Sequence, residues 1–425
     1  MSAPEQDAEK ARHVEMVDSI PAQDDDVSYA EGRKIVHKID RRLVTSLGLM
    51  FAISLMDRTN LASANISGMS HDLTRIVYCH HNFLCSLYRL PVAKRCSCPE
   101  NRSTPLFAGG NFLWGIVMLC MGFLHHWGEL LGLRAIVGIF EAGLFPGALF
   151  LLQMWYIRYD VHKRYASFYL ISIVGSSLSG VLAYAFMQMG GVGGYLGWRY
   201  IFILEGVLTC LTAIVGAFLI VDFPEKAQNS RAFLKPHELA YVIRLLGKDR
   251  SDAHDTAFSL AISSNPAWML RSGFSGSSFF AFFLPIILNV KMGFDVGISQ
   301  VLSTPPYFFA AIVMCVEAWI GDKYHVRSPI IVCNALLAIC ELCLQAWTET
   351  AGVQDLGAFL VIGSANSSVP TVMAWQANNI RGQWKRPFSS ASLITLGGLG
   401  GIVGALVFRS EDAPQYLPGI YASLT

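Results

Sequence analysis

Two small groups of charged residues lie inside otherwise apolar sequence, and their spacing suggests a chemistry. In the run 43–66, Asp57 and Arg58 are adjacent and Asn60 follows Asp57 by three positions. In a helix, Asp57 and Asn60 then share a face, while Arg58 points about 100° away. In the run 129–156, Arg134 and Glu141 are seven residues apart, two turns on one helix face. The Glu-Ala-Gly-Leu-Phe-Pro-Gly string that starts at Glu141 bends the helix and opens its backbone. A carboxyl in a low-dielectric site holds its proton to higher pH than in water, so it can alternate between neutral and charged near working pH. Asp57 and Glu141 meet that need. A guanidinium stays charged and grips a carboxylate through two parallel hydrogen bonds, which makes Arg58 or Arg134 an anchor for an organic anion. A second reading stays open, in which the four residues form a static ion-pair cluster that fixes helix packing.

Other polar residues carry weaker signals. Trp375, Asn378 and Asn379, together with Gln376, could give amide donors and an aromatic wall to a binding site, or could form an interfacial belt with polar helix caps. Trp155 and Tyr156 read as belt residues. Glu205 reads as the structural partner of Arg199, and Glu317 and Glu341 as acids held by structural partners. Cys79, His80, His81, Cys85, Cys96 and Cys98 lack the paired spacing of a zinc site, so no metal is expected. No Gly-x-x-x-x-Gly-Lys-Ser/Thr string occurs, which leaves ATP-driven chemistry unsupported. No cofactor is expected.

These residues need apolar elements to position them. Of the 425 residues, 53% are hydrophobic and 15% charged, too few charges to cover a water-soluble chain of this length. The formal net charge of +1 gives no broad basic field, so nucleic acid is not an expected partner. A bilayer core of about 30 Å needs about 20 apolar residues in a helix. Ten stretches meet that test, near 43–66, 107–125, 129–156, 165–189, 199–221, 267–290, 299–320, 328–347, 355–374 and 390–409. Lysine and arginine gather before the first span, at 158–164, in 222–266, at 323–327 and at 381–386, which makes those loops cytoplasmic. The alternation then requires a crossing within 69–106, where the best window, 76–93, holds His80, His81, Asn82 and Arg89 and makes a poor span.

The strings DRTNLASANI, RAIVGIFEAGLFPGALFLLQMWY at 134–156, GWRYIFILEG at 197–206 and WQANNIRGQWKR at 375–386 fall in an order that resembles the major facilitator superfamily. Within it they are similar to the fungal branch of the anion:cation symporters, which includes allantoate, nicotinate and vitamin permeases. The resemblance implies an all-α, polytopic membrane protein, a two-half helical bundle that is incomplete, with about ten clear transmembrane helices, the second helix replaced over 69–106 and the twelfth missing. The corresponding division is a cytoplasmic tail at 1–42, an N-terminal half at 43–221, a cytoplasmic loop at 222–266, a C-terminal half at 267–409 and a short tail at 410–425. It implies Asp57 and Glu141 as proton-coupling residues, Arg58 as a substrate contact and Arg134 as a partner of the acids, with Asn60 beside them. Gly321, Asp322, Lys323 and Arg327 correspond to a conformational latch. The implied activity is proton-coupled uptake of a small organic anion, such as a carboxylate-bearing nutrient, by a monomer in the plasma membrane, and not an enzymatic reaction. The partners are then the anion, protons and the bilayer. A non-transporting membrane receptor and an inactive truncated fragment remain the alternatives.

Overall fold

Lipid offers no partner to an exposed amide, and the chain answers that constraint with helices. The computed structural model describes residues 29–69, 72, 103–141, 143–157, 160–224, 233–250, 295–324, 328–347 and 351–379, and no strand occurs among them. The helices are α1 (Tyr29–Ile39), α2 (Thr45–Ala64), α3 (Ser103–Met121), α4 (Trp127–Glu141), α5 (Leu144–Trp155), α6 (Val161–Ser177), α7 (Ser179–Met187), α8 (Gly197–Leu219), α9 (Pro236–Arg250), α10 (Val296–Leu302), α11 (Thr304–Tyr324), α12 (Ser328–Trp347) and α13 (Ala351–Asn379). Short π-helical turns at Asp40–Val44 and Asn65–Met69 flank α2. The stretches Trp127–Trp155, Val161–Met187, Gly197–Leu219 and Val296–Gly321 are long and apolar enough to cross a bilayer, and Phe107–Met121 and Ser328–Leu337 are shorter apolar helices. The predicted spans 267–290 and 390–409, and most of 69–106, lie outside the described residues.

Two predicted spans are divided. The run 129–156 becomes α4 and α5, and 165–189 becomes α6 and α7 with a turn at Leu178. The first break falls in Glu-Ala-Gly-Leu-Phe-Pro, where Pro146 lacks the amide that a continuous helix needs in its ladder.

Phe51 of α2 stacks on Phe145 of α5 and Phe168 of α6, with ring centroids 4.4 and 5.4 Å away. The Ser172 hydroxyl donates to the Gly48 carbonyl at 3.1 Å, and a Cβ on Gly175 would come within 2.6 Å of the Ala52 Cβ. A close backbone crossing joins α3 to α8. A Cβ on Gly206 would stand 2.6 Å from the Leu119 nitrogen and 3.0 Å from the Gly115 carbonyl oxygen, and only glycine allows this approach. We expect Gly206→Leu to force the two backbones apart and to lose most of the monodisperse protein in size-exclusion chromatography, because overpacking costs about 1–3 kcal/mol even where side chains can yield. The adjacent Val207, which is exposed, should tolerate leucine in the same assay.

At one end of the bundle the chain is tied by charge. Arg164 forms a two-pronged pair with Asp40 at 3.1 and 3.2 Å. Arg42 donates to the carbonyls of Leu219 and Phe218 at 2.9 and 3.0 Å, capping the open end of α8. Lys38 of α1 pairs with Glu238 of α9 at 3.1 Å, so the predicted central loop contains a helix docked on the predicted N-terminal tail. Burial pushes the Glu238 carboxyl up, but the Lys235 amide and the Lys38 ammonium outweigh it and hold the group below the ordinary glutamate range. Trp155 and Tyr156, expected as belt residues, are buried at this end instead. Trp155 donates to the Asp222 carbonyl at 3.1 Å, and the Arg164 guanidinium lies 4.9 Å from the Tyr156 ring centre. Their neighbours are protein groups, Asp222 and Phe233 at Trp155 and Arg164 at Tyr156.

At the opposite end, α7 and α10 meet closely. A Cβ on Gly180 would lie 2.1 Å from the Gln300 carbonyl oxygen, and one on Gly297 would lie 2.4 Å from the Tyr184 ring. The Gln300 amide also donates to the Ser63 carbonyl and the Ser67 hydroxyl at 3.3 and 3.2 Å. Near their other ends α6 and α11 part around a cavity of about 450 Å³, lined by Lys163, Ser167, Leu170, Cys315, Trp319 and Lys323 among others.

Candidate functional site

The four charged residues singled out by spacing come together at the middle of α2. The Arg58 Nε donates to Glu141 Oε1 at 2.8 Å, its Nη2 donates to the same oxygen, and the Ser54 hydroxyl adds a third bond at 2.7 Å. Glu141 is buried, whereas the Arg58 side chain is 36% exposed, so this pair borders open space. Asp57 is buried, and Asn60 donates to its Oδ1 at 3.4 Å across one helical turn, as their shared face predicts. Arg134 is buried as well. Its Nη1 donates to the Asp57 carbonyl at 3.5 Å, its guanidinium lies 5.4 Å from the Phe202 ring centre, and its charge acts on the Asp57 carboxyl.

Arg58 therefore pairs across helices with Glu141, and Arg134 serves Asp57. Glu141 is the last described residue of α4, and a turn at Gly143 leads into α5.

Glu205 departs from its expected role. It is buried on α8, and the charges that act on it are those of Asp57 and Arg134. Arg199 pairs instead with Asp72 at 3.4 Å. Six residues on a helix amount to about 240° of rotation, so Arg199 and Glu205 face away from each other. The 3.6-residue period, applied to GWRYIFILEG, was the signal that could have shown this.

Among the described residues of the later helices, Tyr307 of α11 and Asn366 of α13 reach Tyr169 of α6, which in turn lies near Arg58. Tyr169 of α6 donates to Asn366 Oδ1 at 3.4 Å, and Tyr169 lies within the electrostatic reach of both Arg58 and Tyr307. Spacing could not single out Asn366, because it sits in a run of small polar residues without charge. Trp375 is half-buried and lies nine residues past Asn366, roughly 13 Å along the axis. Asn378 and Asn379 close α13, and their side chains lie outside the described residues. Gly321 and Lys323 fall in the last turn of α11, where the Lys323 ammonium lies 4.7 Å from the Trp319 ring centre; Arg327 and the Asp322 side chain are outside the described residues. Glu317 accepts from Asn334 at 3.0 Å and from Ser367 at 3.1 Å, a structural triad joining α11, α12 and α13. Among the described residues no group of acids, histidines and cysteines is arranged to hold a metal ion.

The arrangement resembles known proteins in sequence and in fold. The chain is 27% identical over 414 residues to the major facilitator-type transporter hxnP of Emericella nidulans, which covers 92% of this chain and 82% of that protein. It is 23% identical over 413 residues to the high-affinity nicotinic acid transporter of Saccharomyces cerevisiae, covering 93% and 76%. Among solved structures, the proton:xylose symporter XylE bound to 6-bromo-6-deoxy-D-glucose superposes with a TM-score of 0.70 at 14% identity, covering 92% of this chain and 94% of that one. The human organic anion transporter MFSD10 gives 0.62 at 14% identity, covering 91% and 96%. The family model described as Major Facilitator Superfamily matches residues 96–405, most of the chain, and a multi-pass helical membrane protein with this match belongs to that superfamily and is a transporter rather than an enzyme.

Proposed function

We propose that the chain is a proton-coupled carrier of a small organic anion in the plasma membrane, with Arg58 as the contact for the substrate carboxylate and Asp57 and Glu141 as the proton-carrying acids. The observation that carries this reading is the Arg58–Glu141 pair, in which Arg58 is 36% exposed and lies within electrostatic reach of Tyr169, itself bonded to Asn366. An entering carboxylate competes with Glu141 for the guanidinium, and Glu141 can release Arg58 without leaving a buried charge only by taking a proton. Anion binding and protonation are thereby linked. The names of the nicotinic acid transporter and the organic anion transporter among the similar proteins support an anionic substrate, and the proton symporter supports coupling.

The division into two halves at the loop 222–266 fits the same reading. With the basic loops taken as cytoplasmic, the Gly180–Gln300 contact lies at the outer face and the Lys163–Lys323 cavity at the inner face of this proposed carrier, a form closed outward. Gly321, Asp322, Lys323 and Arg327 then lie where an inner latch would engage.

The test is uptake of radiolabelled nicotinate, as a probe anion, into proteoliposomes with and without an imposed inward proton gradient. Gradient-dependent accumulation supports a symporter, and binding without flux supports a receptor. Arg58→Lys should weaken binding of the probe by about 10-fold or more, since a point charge cannot reproduce the planar two-bond grip. Unchanged affinity would remove Arg58 from the site.

A further inference from the structure

The charge cluster contains one acid more than its arginines can neutralise. Arg58, with Ser54, is committed to Glu141. Arg134 is then the guanidinium that acts on both Asp57 and Glu205, with Arg58 a weaker influence on Asp57 alone. Both acids are buried, at 2% exposure. Asp57 Oδ2 and Glu205 Oε2 have no hydrogen-bond partner among the described residues. The other elements packed on α8 add little charge. From α2 come Asp57 and, farther off, Arg58; from α4 come Arg134 and Glu141. The described side chains of α3 that face α8 are uncharged, α7 carries no charged residue and its Tyr184 lies against Gly297 of α10, and Asp72 is occupied with Arg199 farther along α8. Two carboxyls that share one cation in a water-poor site cannot both ionise without leaving a bare charge, and the observed remedy in such pairs is one retained proton.

We propose that Glu205 is the third carboxyl of the transport cluster, and that it and Asp57 share Arg134 and a single proton, one acid neutral while the other is charged. Arg134 is the pivot. When Asp57 carries the proton, the guanidinium neutralises Glu205, and when Glu205 carries it, the guanidinium neutralises Asp57. The proton moves between the two carboxyl groups, and the cluster stays neutral throughout. This deepens the coupling reading above and rests on it for its role in transport, but the shared proton is a property of the empty protein.

The experiment is infrared difference spectroscopy on the purified full chain in lipid at neutral pH, comparing the wild type with Asp57→Asn and Glu205→Gln. A protonated carboxyl gives a carbonyl stretch distinct from carboxylate and amide bands. We expect both variants to lose the carboxyl absorption of the shared proton, because in each the remaining acid has Arg134 to itself and ionises. A band that survives in either variant overturns the proposal. If Glu205→Gln does not fold, Glu205→Asp should keep the band at a shifted frequency, and an unshifted spectrum would equally overturn it. In proteoliposomes, Glu205→Gln should move the midpoint of the uptake pH profile to more acidic values by about 10-fold in proton concentration, since Asp57 no longer competes for its cation. A merely structural Glu205 would lower the amount of active protein without moving the midpoint. Wild-type uptake indifferent to pH would refute the coupling reading and leave the infrared result standing.

Discussion

Glu141→Gln should abolish accumulation of the probe anion against its gradient, while exchange of labelled for unlabelled substrate continues. The amide keeps the shape of the protonated acid and can still accept from Ser54 and Arg58, so the site survives. What it cannot do is acquire the charge that recaptures Arg58 after the substrate leaves, and without that step the proton gradient has no hold on the cycle. Accumulation should fall to the level of protein-free vesicles, with counterflow reduced by no more than about 10-fold, equivalent to roughly 1.4 kcal/mol. Full accumulation by the variant would take Glu141 out of the coupling. Because the Arg58 side chain is 36% exposed, water screens its loss of a partner, so the variant should fold.

Arg134→Met should have the opposite profile, with the fold itself at stake. Arg134 is 3% exposed and is the cation for Asp57 and Glu205, and its removal leaves buried acids uncompensated. Breaking a buried pair from one side costs about 3–5 kcal/mol, a large part of the stability of most proteins. The expected result is a chain recovered mainly as aggregate in size-exclusion chromatography. The triple variant Arg134→Met, Asp57→Asn, Glu205→Gln removes the stranded charges together and should recover monodisperse protein without transport. If Arg134→Met alone is as well behaved as the wild type, Arg134 does not neutralise these acids.

The contrast between these residues shows what a linear reading can reach. The spans 199–221 and 328–347 coincide closely with α8 and α12, because an apolar run long enough to cross lipid has few other conformations open to it. Asp57, Arg58, Arg134 and Glu141 were legible for a related reason: a charge in such a run is costly and therefore conspicuous. Their pairing was not legible. Arg58 and Glu141 are 83 positions apart, and which arginine meets which acid depends on helix rotation and on the break after Glu141. Glu205 was set aside because Arg199 is near in sequence, although the helical period puts the two on different faces. Tyr169, Tyr307 and Asn366 carried no signal, since an uncharged residue in an apolar helix resembles ordinary core until a neighbour gives it a task.

The cross-helix bonds of α2 also bear on how the chain is made. Placing an aspartate and an arginine at the centre of a membrane helix costs about 5–7 kcal/mol on the insertion scale, enough to offset most of its apolar residues. The group that holds Arg58 lies 83 residues downstream, and the Ser54 bond spans 87. At about 5–20 residues per second, a ribosome takes roughly 4–17 s to supply it. During that interval α2 is the earliest of these helices to be synthesised and the least able to remain in lipid alone. The arrival of α4 is therefore expected to secure α2 in the bilayer, so synthesis order and assembly order diverge for the helix that carries the proposed site.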